Sequence, residues 1–102
     1  MDAIQLEHLI EAQVPFTRDQ LESAIGLGVD LTHIDTSKIK SMKKLFSKVQ
    51  HFKGTITDWD TSNVTTMASM FHRSSFNQPL NWDTSQVTNM AGMFQWSKFN
   101  QP

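Results

Sequence analysis

At 102 residues and a formal net charge of −1, the chain has room for one domain with a modest core; with no cysteine it excludes disulfides, thiolate metal sites and a cysteine-linked lipid anchor. The charge is unevenly placed, because Lys38, Lys40, Lys43, Lys44, Lys48 and Lys53 share one window without an acid, and the other cations are Arg18, Arg73 and Lys98. No segment has the length and apolarity of a membrane span, and the N-terminal stretch with Asp2, Glu7, Glu11, Asp19 and Glu22 lacks the basic and apolar regions of a signal peptide. A cytoplasmic location is expected, or an extracellular surface if the sequence is a fragment.

In chain order, Ile4, Leu6, Leu9 and Ile10 recur at roughly helical spacing between Asp2 and Gln13, and Pro15 stops the pattern, which predicts a first short helix. Thr17 with Gln20 forms a capping-box pattern, followed by Leu21, Ala24 and Ile25 and then Gly26 and Gly28, which predicts a second. Residues 1–26 therefore read as a two-helix N-terminal cap on the repeats that follow.

The repeats announce themselves in one phrase. Ile34-Asp35-Thr36-Ser37 returns as Trp59-Asp60-Thr61-Ser62 and Trp82-Asp83-Thr84-Ser85, a period of 23 to 25 residues. Apolar columns run alongside it: Ile39, Val64 and Val87; Met42, Met67 and Met90; Leu45, Met70 and Met93; Phe46, Phe71 and Phe94; Phe52, Phe76 and Phe99. Such a unit cannot bury its apolar side alone and must stack on its neighbours. Val64, Met67, Met70 and Phe71 have helical spacing, capped by Thr65, as its counterpart would be by Thr88; Phe76 to Trp82 suits a short strand, and Leu27, Leu31 and Ile34 extend the strand columns upstream. The expected fold is an α/β repeat: a short solenoid over 27–102 with three strand-turn-helix rungs at about 34–58, 59–81 and 82–102. Its strands are parallel, tryptophan stacks on tryptophan, and the whole is one structural domain.

The phrases from Trp59 to Met67 and from Met70 to Gln78 resemble the mycoplasma-type repeat domain of unknown function found in arrays on bacterial surface proteins, a family that looks like a relative of BspA-like leucine-rich repeats. The resemblance covers about Leu31 to Pro102. It implies a leucine-rich-repeat-like solenoid used for binding, and no catalytic residues.

The side chains themselves point away from catalysis. His8, His33, His51 and His72 have no companion at metal-ligand spacing, no nucleophile elbow or phosphate-binding glycine loop is present, and no cofactor or metal is expected. Asp35, Asp60 and Asp83 should stack as a ladder, each accepting turn amides in preference to a shared cation.

A noncatalytic protein-binding module is therefore the leading expectation. Its contacts are Thr55, Thr57, Asn77, Gln78 and Asn81 on the strand face and Phe94, Trp96 and Phe99 at the C-terminal face, where no fourth rung follows. The six lysines offer a patch for an acidic partner, with direct nucleic-acid binding disfavoured for want of free stacking aromatics. Two alternatives are a small inhibitor, such as one carried by a mobile element, that blocks a nucleic-acid-acting complex, and a fragment of a surface adhesin. A homodimer closed through the C-terminal face is one assembly open to it.

Overall fold

The computed structural model of the chain describes residues 1–101, so the expected end of the third rung at Pro102 lies outside the described residues. Two helices open it, α1 (Ala3–Glu11) and α2 (Arg18–Leu27). Each starts with a reciprocal capping box. The Asp2 carboxylate accepts the Gln5 amide while the Gln5 side chain accepts that of Asp2, and Thr17 and Gln20 repeat the exchange before α2. Gly28 ends α2 in the left-handed region at φ 73°, where a side chain would be strained. Leu6, Phe16, Leu21 and Ala24 are buried in the same apolar cluster as the repeats, so the helices close one end of a continuous core.

From Val29 onward the architecture departs from the expected one. Among the described residues there are two α-helices and no strand, and the parallel pairing is reduced to isolated bridges, Ser41 to Thr66 and Thr66 to Asn89. A leucine-rich-repeat-like solenoid of strand-turn-helix rungs is therefore not what these residues build. Three irregular coils are stacked instead, and every coil is a run of consecutive turns.

The reason lies in the backbone. In the second coil the Met70 amide donates to Met67 O, His72 to Ser69 O and Ser74 to Phe71 O, all i to i−3, while Ser69 and Arg73 have φ 56°. A positive φ at the third position of a turn is the type II geometry and ends any α-helix. Lys44 and Lys48 in the first coil, and Gly92 and Trp96 in the third, occupy the same positions with φ between 56° and 64°. Turns of about three residues bring Val64, Met67 and Met70 to one side as a helix would, which is why their spacing imitates one.

The amides between those turn donors point along the stack. Met42, Lys44, Phe46 and Lys48 donate to the carbonyls of Thr66, Ala68, Met70 and His72, at 2.8 to 3.0 Å. Met67, Ser69, Phe71 and Arg73 in turn donate to those of Asn89, Ala91, Met93 and Gln95, again at 2.8 to 3.0 Å. Because Thr66 O and Met67 N belong to one peptide group, the peptides line up head to tail in four columns. Thr65 and Thr88, expected as helix caps, lie exposed and donate through amide and hydroxyl to Lys40 O and Thr65 O of the preceding coil.

The strand-like segments also dissolve into single bonds. Pro79 lacks a donor, and the Gln78 side chain substitutes for a backbone partner, its Oε1 accepting the Ile56 amide and its Nε2 donating to Gly54 O. Leu27, expected in a strand column, is the exposed last residue of α2.

Side chains fill the stack with aromatic ladders. Phe46, Phe71 and Phe94 stack at centroid separations of 5.5 and 5.4 Å, and Phe52, Phe76 and Phe99 at 6.1 and 5.8 Å. The tryptophans pack on phenylalanine rather than on each other, Trp59 against Phe46 and Trp82 against Phe71, and each indole donates back one coil, to Leu31 O and Ile56 O. Phe71 touches four aromatic rings and is fully buried, whereas Phe94 is half-buried.

Replacing Phe71 with alanine is expected to destabilise the fold by about 3–5 kcal/mol, the range for an aromatic cavity in a packed core. Phe94→Ala should have a clearly smaller effect. Urea denaturation of the two variants measures the difference, and equal losses would contradict the graded burial.

Candidate functional site

The Asp-Thr-Ser phrase divides its work among three residues. Each aspartate accepts the amide two residues on, Asp35 from Ser37, Asp60 from Ser62 and Asp83 from Ser85, at 2.9 to 3.0 Å. This is the Asx turn expected from the sequence. Asp60 also accepts the Ser62 hydroxyl at 2.6 Å, and hydrogen bonds from serine hold the carboxyls of Asp60 and Asp83 below the usual aspartate range, against a smaller opposing contribution from desolvation. The threonines do something the sequence reading missed. Thr36 and Thr61, both 1% exposed, donate their hydroxyls to Asp60 O and Asp83 O of the next coil. A polar residue kept in a column of otherwise buried neighbours is the signal that marked them.

Arg18 is the other omission. Its Nη1 donates to Ser41 O at 3.0 Å, its Nη2 to Lys43 O at 2.7 Å, and its Nε to Glu22 Oε1 at 2.9 Å. Ser41 O and Lys43 O are the first-coil counterparts of Thr66 O and Ala68 O, which accept amides from the coil before. One guanidinium thus stands in for two backbone donors at the carbonyl end of two peptide columns, where a cation is also favoured by the aligned dipoles. Nothing in the sequence distinguishes this arginine from a solvated one on α2.

At the opposite end the columns finish in donors. The amides of Met90, Gly92, Phe94 and Trp96 have no acceptor among the described residues, and the Thr84 hydroxyl, unlike those of Thr36 and Thr61, has none either. Met90 is 45% and Trp96 68% exposed, and Met90, Gly92, Met93, Phe94 and Gln95 line an open concavity of about 520 Å³. Trp96 lies across the flank of the second coil, with the Arg73 guanidinium 4.5 Å from its ring centroid and His72 5.7 Å away.

The residues singled out from the sequence fall into three places. Phe94, Trp96 and Phe99 do gather on the third coil, where Phe94 and Phe99 stack at 4.2 Å. Gln78 and Asn77 are committed to stitching coils together: the Asn77 carboxamide oxygen accepts the Asn100 amide and the Gln101 side chain. Thr55 and Asn81 are exposed and Thr57 half-buried. Lys38, Lys40, Lys43, Lys44, Lys48 and Lys53 are all exposed, and among the described residues the ion pair present is Arg18 with Glu22, so none of the six is paired. A second concavity, about 250 Å³ beside α1, mixes Glu7, Glu11 and Asp30 with His33 and Lys53.

The lowered carboxyls of Asp60 and Asp83 carry a sign for pH dependence. A group whose pKa falls on folding adds stability above its ordinary range and loses it as pH drops through the folded value. Stability should therefore decline below about pH 4. The Asp60→Asn, Asp83→Asn double variant keeps the acceptor oxygens and should show a shallower decline when urea midpoints are compared between pH 2 and 6, with an unchanged slope counting against this role.

The comparisons with known proteins agree with the repeat and go no further than the family. The family described as Mycoplasma protein of unknown function, DUF285, matches residues 18–102, and a relation to BspA-like leucine-rich repeats does not emerge. No curated protein and no solved structure matches. With five-sixths of its length inside that match, from Arg18 through all three coils, the chain belongs to the DUF285 family.

Proposed function

We propose that this chain is a noncatalytic protein-binding module whose main contact surface is the face of the third coil, built around Met90, Phe94, Trp96 and Phe99. The observation that supports it most is the contrast between equivalent positions. Val64, Met67 and Phe71 are fully buried, while Val87 and Phe94 are half-buried and Met90 is exposed. Apolar side chains and backbone donors left facing outward together are the composition of an interface core.

The lysines of the first coil add an electrostatic component. The cluster belongs to that coil: Lys38, Lys40, Lys43 and Lys44 correspond to Asn63, Thr65, Ala68 and Ser69 in the second. An exposed basic cluster raises the association rate with an acidic protein surface, and its effect falls with salt.

Trp96→Asp tests the module. The position has φ 56°, which aspartate adopts more readily than tryptophan, so the backbone does not oppose the change. The variant should keep its far-UV spectrum and urea midpoint while binding the protein captured by the wild-type chain from host extract at least tenfold more weakly. A partner whose affinity is indifferent to Trp96→Asp would sink the assignment of this face.

A further inference from the structure

We infer that the flank of the first coil binds an extended acidic segment of a partner polypeptide, a run rich in aspartate or glutamate laid along Lys40, Lys43, Lys44 and Lys48. The inference rests on the reading of the chain as a protein-binding module and adds a second contact surface, on the side of the stack instead of its end.

Nothing inside the molecule compensates these charges. Within the repeats the acids are Asp35, Asp58, Asp60 and Asp83, so the stretches Ser37 to Thr57, Thr61 to Trp82 and Thr84 to Gln101 contain none. Asp35, Asp60 and Asp83 accept their own turn amides. Glu22, on the helix that Arg18 ties to the first coil, is already paired with that arginine. None of the four lysines is in an ion pair among the described residues. Arg73 adds a further exposed cation one coil away, where the Lys48 amide donates to the carbonyl of its neighbour His72. Like charges gathered in this way repel one another, and an anion laid along them removes that repulsion.

The fold does not require lysine at these places. The second coil has Thr65, Ala68 and Ser69 where the first has Lys40, Lys43 and Lys44, and the third has Thr88, Ala91 and Gly92. Lys44, at φ 59°, keeps a long side chain in a left-handed conformation that glycine takes without steric cost. The backbone beneath the charges is fixed: Lys40 O accepts from Thr65, Lys43 O accepts from Arg18, and the Lys44 and Lys48 amides donate to Ala68 O and His72 O. A frame that need not be ordered on binding lowers the cost of association.

The chemistry of the flank favours carboxylates over a nucleic-acid strand. Ammonium groups act as point charges and accept a carboxylate in many orientations. A single strand gains affinity by stacking its bases on free rings, and the rings of this coil, Phe46 and Phe52, are stacked in the core ladders. Lys38 and Lys53 lie outside the row. Lys38 follows the Asp35 turn, and Lys53 lines the concavity beside α1 together with Glu7, Glu11 and Asp30.

The probe is a fluorescein-labelled peptide of alternating glutamate and serine, about twelve residues long, whose carboxylates share one side when the chain is extended. Fluorescence anisotropy should show it binding the full-length chain, with an affinity that falls as salt is raised. Lys40→Thr with Lys44→Ser installs the second coil's own residues and should weaken binding at least tenfold while the urea midpoint is kept. Lys38→Asn with Lys53→Asn removes the same charge elsewhere and should leave binding within twofold; equal losses in the two double variants would reduce the effect to net charge and overturn the inference. Should the first variant fail to fold, carbodiimide coupling of the peptide to the wild-type chain replaces it. Amide links should concentrate at Lys40, Lys43, Lys44 and Lys48, and links chiefly at Lys38 and Lys53 would overturn the site. Tighter binding of an oligothymidylate of equal charge would make the ligand a nucleic acid, and concentration-dependent self-association lost in Lys40→Thr with Lys44→Ser would make it the acidic helices of a second copy; either result excludes the acidic segment. Absence of peptide binding alongside a partner still sensitive to Trp96→Asp would refute this surface and leave the third-coil face intact.

Discussion

Every second peptide of each coil is turned to lie along the stack, and this single constraint organises the molecule. A peptide so placed cannot satisfy its own N–H and C=O; both must come from the coils above and below. The cost of leaving buried backbone groups unpaired is about 1–3 kcal/mol each, so four columns couple neighbouring coils far more tightly than packing alone. The positive φ values follow from the same constraint. To alternate an outward-pointing peptide with an i to i−3 turn, the chain must visit the left-handed region, and it does so at matching positions in every coil, with lysine, serine, arginine, tryptophan or glycine. Identity there is free because the side chains point out; conformation is not.

What the sequence revealed was the burial pattern, and what it concealed was the backbone. The columns of Ile39 and Val64, Met42 and Met67, Leu45 and Met70, Phe46 and Phe71 all reach the core. The Thr17–Gln20 box and the stop at Gly28 are where the pattern places them, although the equivalent Asp2–Gln5 box went unread. The solenoid of strands and helices failed for a definite reason. Periodicity reports which side a residue faces, and consecutive turns of three residues present the same side at i, i+3 and i+6 as a helix does. Only a signal for positive φ separates the two. Glycine supplies that signal at Gly92, but Lys44, Ser69 and Arg73 do not.

The site was legible to a similar depth. Aromatic residues marked the third coil, because Trp96 replaces the lysine and arginine of its counterparts, Lys48 and Arg73. The donor row was illegible, since amides are common to every residue and become distinctive only once their direction is known. Asn77 and Gln78, read from the sequence as contact residues, also serve as clamps, a use of side-chain amides that mimics a missing backbone ladder. Arg18 lies outside the repeat, yet it completes the repeat's hydrogen bonding.

The two ends of the stack are therefore chemically different, and that difference bears on recognition. Peptide dipoles aligned in columns leave carbonyls at one end and amides at the other, as in a helix. At the carbonyl end Arg18 takes two of the four column carbonyls, and the helices join the adjoining core. The different groups at the two ends make the stack directional. The Thr36 and Thr61 hydroxyls, the stacked phenylalanines and the Trp59 and Trp82 indoles all hold coils together. The coils differ in what they expose: the lysines of the first, and Gly92 and Trp96 of the third.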